Sequence, residues 1–244
     1  MNVQTNMQGT LRVAKRPADE RGKADYGWLQ TSHSFSFGEY YDPNFSGFGK
    51  LIVLNDDLVD AGKGVGRHPH RNVEIFSYIL RGALEHKDSM GNGSVVSGGG
   101  VQYMSAGSGV THSEFNPSLI DDTRFLQVWL LPEVENTEPA YDTIELTPED
   151  KTGKLKLFLS KDGRDGSIRT QADASVYATI LKDDQVLTYD LSTGRKGWVQ
   201  VADGSIRVHD VILNKGDGLA IEGSGTLVFD QGKDAEFLFF DMAS

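Results

Sequence analysis

The chain has 244 residues, enough for one large domain or two of roughly 100 to 120 residues with separate cores. Its 38% hydrophobic and 24% charged residues are those of a folded soluble protein, and cysteine is absent, which excludes disulfides, thiolate metal sites and a cysteine nucleophile. The net charge of -11 argues against a surface that grips nucleic acid by neutralising phosphates; the N-terminus lacks a leader pattern and no run approaches the roughly 18 apolar residues of a membrane span, so the cytoplasm is the expected location.

Residues 1–10 are polar and aperiodic and are expected to form a loose tail. From Trp28 to Phe48 the chain is aromatic, with His33, Phe35, Phe37, Tyr40, Tyr41, Phe45 and Phe48. Such rings either fill a core or cap a barrel, or line a pocket for a flat aromatic ligand. Leu51–Val59 reads as a strand interrupted at Asn55-Asp56-Asp57. His68 and His70 then stand two apart, ahead of an alternating apolar run. On extended backbone, residues i and i+2 project from one face, so both imidazoles can reach one point.

Further β-runs are expected at Val73–Leu80, Ala83–His86, Val101–Ser105 and Phe125–Leu131, with turn signals at Arg81-Gly82, Met90-Gly91-Asn92-Gly93 and Gly98-Gly99-Gly100. His112 and Glu114 repeat the two-residue spacing between Gly107-Ser108-Gly109 and Asn116-Pro117. Two such pairs from two strands predict a metal site built from nitrogen and oxygen donors. Spacing alone leaves Glu74 and Glu114 both open as the carboxylate. Short strands and tight glycine turns predict an all-β antiparallel barrel or double-sheet jelly roll.

Proline and acidic residues concentrate beyond Pro132, which divides the chain into 11–134, a linker at 135–154, and 155–244. The β pattern restarts at Leu155–Leu159, and the second half reads as a repeat of the first. Phe76–Asp88 lies over Trp198–Asp210, matching Gly82 with Gly204. Gly107-Ser108-Gly109 falls on Gly223-Ser224-Gly225. The same register puts Asp190 and Ser192 where His68 and His70 stand, and Val228 and Asp230 where His112 and Glu114 stand. The second copy is therefore expected to lack the metal site, and His209 to be a structural or surface residue.

The stretch Gly62–Gly82 followed by Gly100–Asn116 is similar to the two cupin motifs, departing at Ala106-Gly107, where cupins often carry proline. Glu20-Arg21-Gly22, Gly27-Trp28-Leu29, His33–Phe37, Tyr41–Phe45, His68-Pro69-His70, Glu85–Asn92 and Met104–Glu114 together resemble the pirin family, closest to its bacterial quercetin 2,3-dioxygenase-like members. The resemblance covers most of residues 11–132 and the remainder only as a degenerate second cupin. It implies two tandem cupin domains with a metal in the N-terminal one only. It also implies the ligands His68, His70, His112 and Glu114, leaving Glu74 in support.

Iron(II) is the metal the resemblance implies first, although the donors also suit Mn, Co, Ni, Cu or Zn. No organic cofactor is expected. The implied reaction cleaves the central ring of a flavonol with dioxygen and releases carbon monoxide, with Glu114 doubling as general base for the 3-hydroxyl. A different class is a non-enzymatic, iron-binding regulator or redox sensor acting through a protein partner. A cupin isomerase or decarboxylase ranks lower, because the aromatic segment does not suit a sugar or small acid.

Overall fold

The computed structural model describes residues 11–244. The expected tail at 1–10 lies outside the described residues. In chain order the strands are β1 (Arg12–Arg16), β2 (Gly22–Asp25), β3 (Leu29–His33), β4 (Leu51–Val59), β5 (Gly64–His70), β6 (Glu74–Arg81), β7 (Ala83–Asp88), β8 (Gly93–Ser97), β9 (Val101–Ser105), β10 (Val110–Phe115), β11 (Thr123–Leu130) and β12 (Ala140–Ile144). After a short helix, α1 (Pro148–Lys151), come β13 (Lys156–Ser160), β14 (Ile168–Arg169), β15 (Ala174–Leu181), β16 (Leu187–Leu191), β17 (Arg195–Val208), β18 (Val211–Asn214), β19 (Gly218–Glu222) and β20 (Gly225–Ala243).

Two sheets make the N-terminal barrel, one ordered β5-β10-β7-β8 and the other β12-β9-β6-β11-β4-β3-β2. The second barrel is one sheet, β1-β19-β17-β20-β15-β13-β14, to which β16 adds on β20 and β18 on β17. Bulges in the long strand β17 let this sheet curl on itself. Gly82 and Gly204, matched by the repeat, both sit at positive φ (78° and 71°), and a Cβ on either would run into the neighbouring strand. Only glycine fits where each strand crosses from one layer to the other.

Period-two alternation explains the larger N-terminal sheet. Leu54, Phe76, Tyr78, Leu126 and Val128 face the second barrel and join Phe158, Trp198, Leu238 and Phe240 in one core spanning both domains. Phe76 packs against Phe158 and Phe240, with ring centroids 5.4 and 6.2 Å away. Asn55, Asp57, Ser77, Gln102 and Gln127 alternate with these residues and face the barrel interior, where each is buried or lines a cavity. The expected interruption at Asn55-Asp56-Asp57 is therefore absent. Residues 55 and 57 are inward polar positions of an unbroken strand, and Asp56 on the other face takes a bidentate bond from Arg124 at 2.9 and 3.0 Å.

The strand pairing departs from the expected boundaries at two places. β1 pairs with β19, so residues 12–16 belong to the C-terminal sheet, and β12 pairs with β9, so residues 140–144 extend the N-terminal one. Residues 135–154 thus do more than link. Thr147 and Asp150 form a capping box at the start of α1, which buries Lys151 between Glu236 at 2.6 Å and the Tyr78 hydroxyl at 2.5 Å.

The repeat register needs correcting by one residue around the second barrel's equivalent of the metal site. His68 pairs with His112 and Glu114 with His86 in the first barrel; the inward pairs of the second are Tyr189 with Leu227 and Phe229 with Val208. Asp190 and Ser192 are exposed, while Asp230 is bonded to Arg207 at 2.8 and 2.6 Å. A one-residue slip exchanges the two faces of a strand, which is why the sequence register placed polar groups inside. The interior is instead filled by Leu191, Val208, Leu227, Phe229 and their neighbours.

Candidate metal centre

His68 and His70 lie on β5, an edge strand, which tolerates Pro69 between them because proline's missing N–H costs no ladder bond there. Antiparallel pairing with β10 sets His112 directly across from His68. The three rings close on one another, with centroid separations of 4.4, 4.7 and 4.9 Å, and their donor nitrogens lie within 4.8 Å of each other.

Hydrogen bonds fix the tautomers. His68 Nδ1 donates to the Gly66 carbonyl at 2.8 Å, leaving its Nε2 as a lone pair. His86 Nε2 donates to Asp88 Oδ2 at 3.0 Å, so its Nδ1 accepts from His112 Nδ1 at 3.4 Å. His112 Nε2 is then also a lone pair, and it stands 3.0 Å from His68 Nε2. Two bare lone pairs facing each other repel, whereas two nitrogens bound side by side to one first-row ion at ~2.1 Å each sit at about this separation. The donor set fits a divalent cation.

Asp88 anchors the chain of donors. Burial would raise its carboxyl, but bonds from Asn92, His86 and Met90 together hold it below the usual range. Tyr141 of β12 stacks on His86 at 4.3 Å and 15°. Sequence reasoning did not assign His86 and Asp88, although their two-residue spacing matches that of the two expected ligand pairs.

Glu114 groups with His112 and His86 within 4.8 Å, not with His68 and His70, although it lines the same cavity as those two. Its Oε1 accepts from Ser77 at 3.2 Å and from Gln102, and its Oε2 accepts from Gln127 at 2.9 Å. Burial raises its pKa, against the pull of His86, His68 and these bonds. Glu74 is placed elsewhere. The strand breaks at Asn72 (φ 53°), so β6 no longer shares a face with His70. Glu74 instead turns to the domain interface and accepts from Tyr103, from Ser105 at 2.7 Å, and from Thr170 and the Gln171 amide at 3.0 Å each.

The cavity beside the histidines is about 270 Å³. Phe37, Phe125 and Trp129 supply aromatic walls, and Thr31, His33, Asn55 and Asp57 form a polar wall on β3 and β4. The aromatic segment divides between the core and this cavity, with Phe37 the phenylalanine it gives to the cavity wall. Phe37 meets Trp129 edge-on at 5.5 Å, while Phe35 packs into the interdomain core against Trp198.

Residues 14–130 match the Pirin family, and residues 157–242 match the Quercetinase C-terminal cupin domain. The chain belongs to the pirin family. This pirin is 41% identical over 227 residues to an Escherichia coli protein named quercetin 2,3-dioxygenase, spanning 93% of this chain and 97% of that one. It is 36% identical over 232 residues to a pirin-like protein of Caulobacter vibrioides, covering 95% and 100%. A solved E. coli bacterial pirin in complex with nickel(II) superposes with a TM-score of 0.90 at 41% identity, covering 95% of this chain and 99% of that one. Two cupin-type barrels are thereby its architecture. Among the described residues no helix is long and apolar enough to cross a membrane.

Acid weakens this centre in a defined direction. Burial, then the nearby histidines, push His70 down to about 4 and His112 down to about 3, below the ~6.5 of an unfolded imidazole. The unfolded chain therefore binds more protons as pH falls, and stability present above about pH 6.5 is lost on the way down through about pH 4 for His70 and about pH 3 for His112. The denaturant midpoint of metal-free protein is expected to fall across that window. His112→Ala should flatten the fall, and an unchanged slope in that variant would contradict the assignment.

Proposed function

We propose that this pirin is a metal-dependent dioxygenase of the quercetin 2,3-dioxygenase type, opening the central ring of a flavonol with dioxygen and releasing carbon monoxide. The observation that supports it most is the pair of opposed Nε2 lone pairs of His68 and His112, 3.0 Å apart, beside an aromatic-lined cavity of about 270 Å³ whose wall includes His68 and His70. That size lies just under the ~300 Å³ lower bound of ordinary small-molecule pockets and suits one flat molecule.

His68, His70 and His112 would hold the ion, with Glu114, which groups with His112, as the fourth ligand. Bound there, a divalent ion acts as a Lewis acid that favours the ionised 3-oxygen of the substrate. The Asp88–His86 chain keeps His112 Nε2 turned toward the ion, and Ser77, Gln102 and Gln127 hold the Glu114 carboxylate. Phe37 and Trp129, in edge contact with each other, form one aromatic wall for the rings of the substrate, and Val59, Leu84 and Phe125 add apolar lining that excludes water. Iron(II) remains the preferred metal, with nickel a tested alternative because a relative was solved with it. Stripped protein reloaded separately with iron(II), nickel(II) and manganese(II) is expected to consume oxygen with quercetin and to release carbon monoxide with at least one of them. No oxygen uptake with any metal would end this reading.

A further inference from the structure

We propose that Asp57, on the cavity wall formed by β4, accepts the proton released by the flavonol 3-hydroxyl, a role that sequence reasoning gives to Glu114. The inference rests on the dioxygenase reading above. It begins with what Glu114 has left to offer. A carboxylate presents about four acceptor positions. Ser77 and Gln102 take both on Oε1, Gln127 takes one on Oε2, and the ion requires the last.

Asp57 is the opposite case. It is 6% exposed and lines the same cavity as His68, His70 and Glu114, and its Oδ1 has no partner among the described residues. An unpaired buried carboxyl oxygen is costly, and a fold retains it where something else completes the bond. No lysine or arginine lines this cavity. The groups facing Asp57 are Thr31 and His33 from β3, Gln127 from β11, His68 and His70 from β5, and Glu114 from β10. Its neighbour Asp56 has Arg124, but on the outer face of the strand. His33 is engaged by Asn55 at 2.8 Å, and burial keeps it below the usual imidazole range.

The step balances. The 3-hydroxyl O–H bond breaks, its proton forms a bond to Asp57 Oδ1, and the electron pair stays on the 3-oxygen as the anion. Burial, with Asp56 and Glu114 adding to it and a bond from Thr31 opposing it, raises the Asp57 carboxyl to about 7. That holds for the ion-free cavity; a cation at His68 and Glu114 would draw it down, and the unpartnered Oδ1 is the feature that makes Asp57 the open acceptor.

Asp57→Asn keeps the shape and removes the acceptor. It is expected to bind metal as the parent does, to lose about 100-fold or more in kcat, and to lose the acidic limb of the pH profile. Under anaerobic conditions the absorption shift that marks ionisation of bound quercetin should need a higher pH in this variant. Thr31→Val, which removes the opposing bond together with a 3.5 Å contact to His33 Nδ1, should move the acidic limb upward. An unchanged limb and an unchanged ionisation midpoint in Asp57→Asn would overturn the proposal. An infrared titration of substrate-free protein separates this failure from failure of the dioxygenase reading. A carboxyl band that titrates near neutrality and is missing in Asp57→Asn supports the assignment even if no flavonol is turned over. A carboxyl titrating in the ordinary range near ~4 overturns it.

Discussion

His112→Ala is expected to strip the protein of metal. His112 belongs to both donor groups found among the described residues, with His68 and His70 on one side and with His86 and Glu114 on the other, so its loss breaks both and parts Glu114 from the histidine pair. Metal content after reconstitution, measured by mass spectrometry, should fall to background, and oxygen uptake with it. His86→Ala removes only the group that orients His112 and should weaken metal binding by about 10- to 100-fold, as loss of a ligand's hydrogen-bond partner usually does. Glu74→Gln should leave metal content unchanged, because that side chain serves the domain interface. Full metal occupancy in His112→Ala, or loss in Glu74→Gln, would redraw the site.

Phe76→Ala is expected to destabilise the whole molecule. The ring is 1% exposed and wedged between Phe158 and Phe240 of the second barrel, so truncation leaves a cavity in the core the two domains share. Deleting a buried phenylalanine costs about 3–5 kcal/mol. For a chain of this size that lowers Tm by roughly 10 °C. Calorimetry should show one transition, shifted, since both barrels lean on the same ring. Two separated transitions in the parent protein would mean that the shared core does not couple them.

Much of the fold was readable because the barrel strands obey local rules. Leu51–Val59 and Val101–Ser105 were placed to the residue, and the turn glycines Gly82 and Gly204 announced themselves by what only glycine can do. The convergence of His68, His70 and His112 was equally legible, since alternation along two strands leaves few other outcomes. Other features depended on long-range partners. Asn55 and Asp57 looked like a break because polar residues in a strand normally face water, and nothing local says that the opposite face is covered by another domain. Spacing left Glu74 open beside Glu114 as the carboxylate, and what removes it is the turn at Asn72, which takes it out of register with His70. The exchange of β1 into the rear sheet, and the place of β12 at the edge of the front one, leave no local signature, since edge pairing depends on which strand end is vacant elsewhere.

That exchange means the two barrels are stitched together by the backbone itself. Separating the chain at residue 134 would leave the front piece trailing a strand that belongs to the rear sheet and lacking one of its own edges. The bare edge on each fragment would invite pairing with other chains. Neither barrel is therefore a transplantable module, and the rear barrel contributes the scaffold against which the barrel carrying the histidine cluster is built.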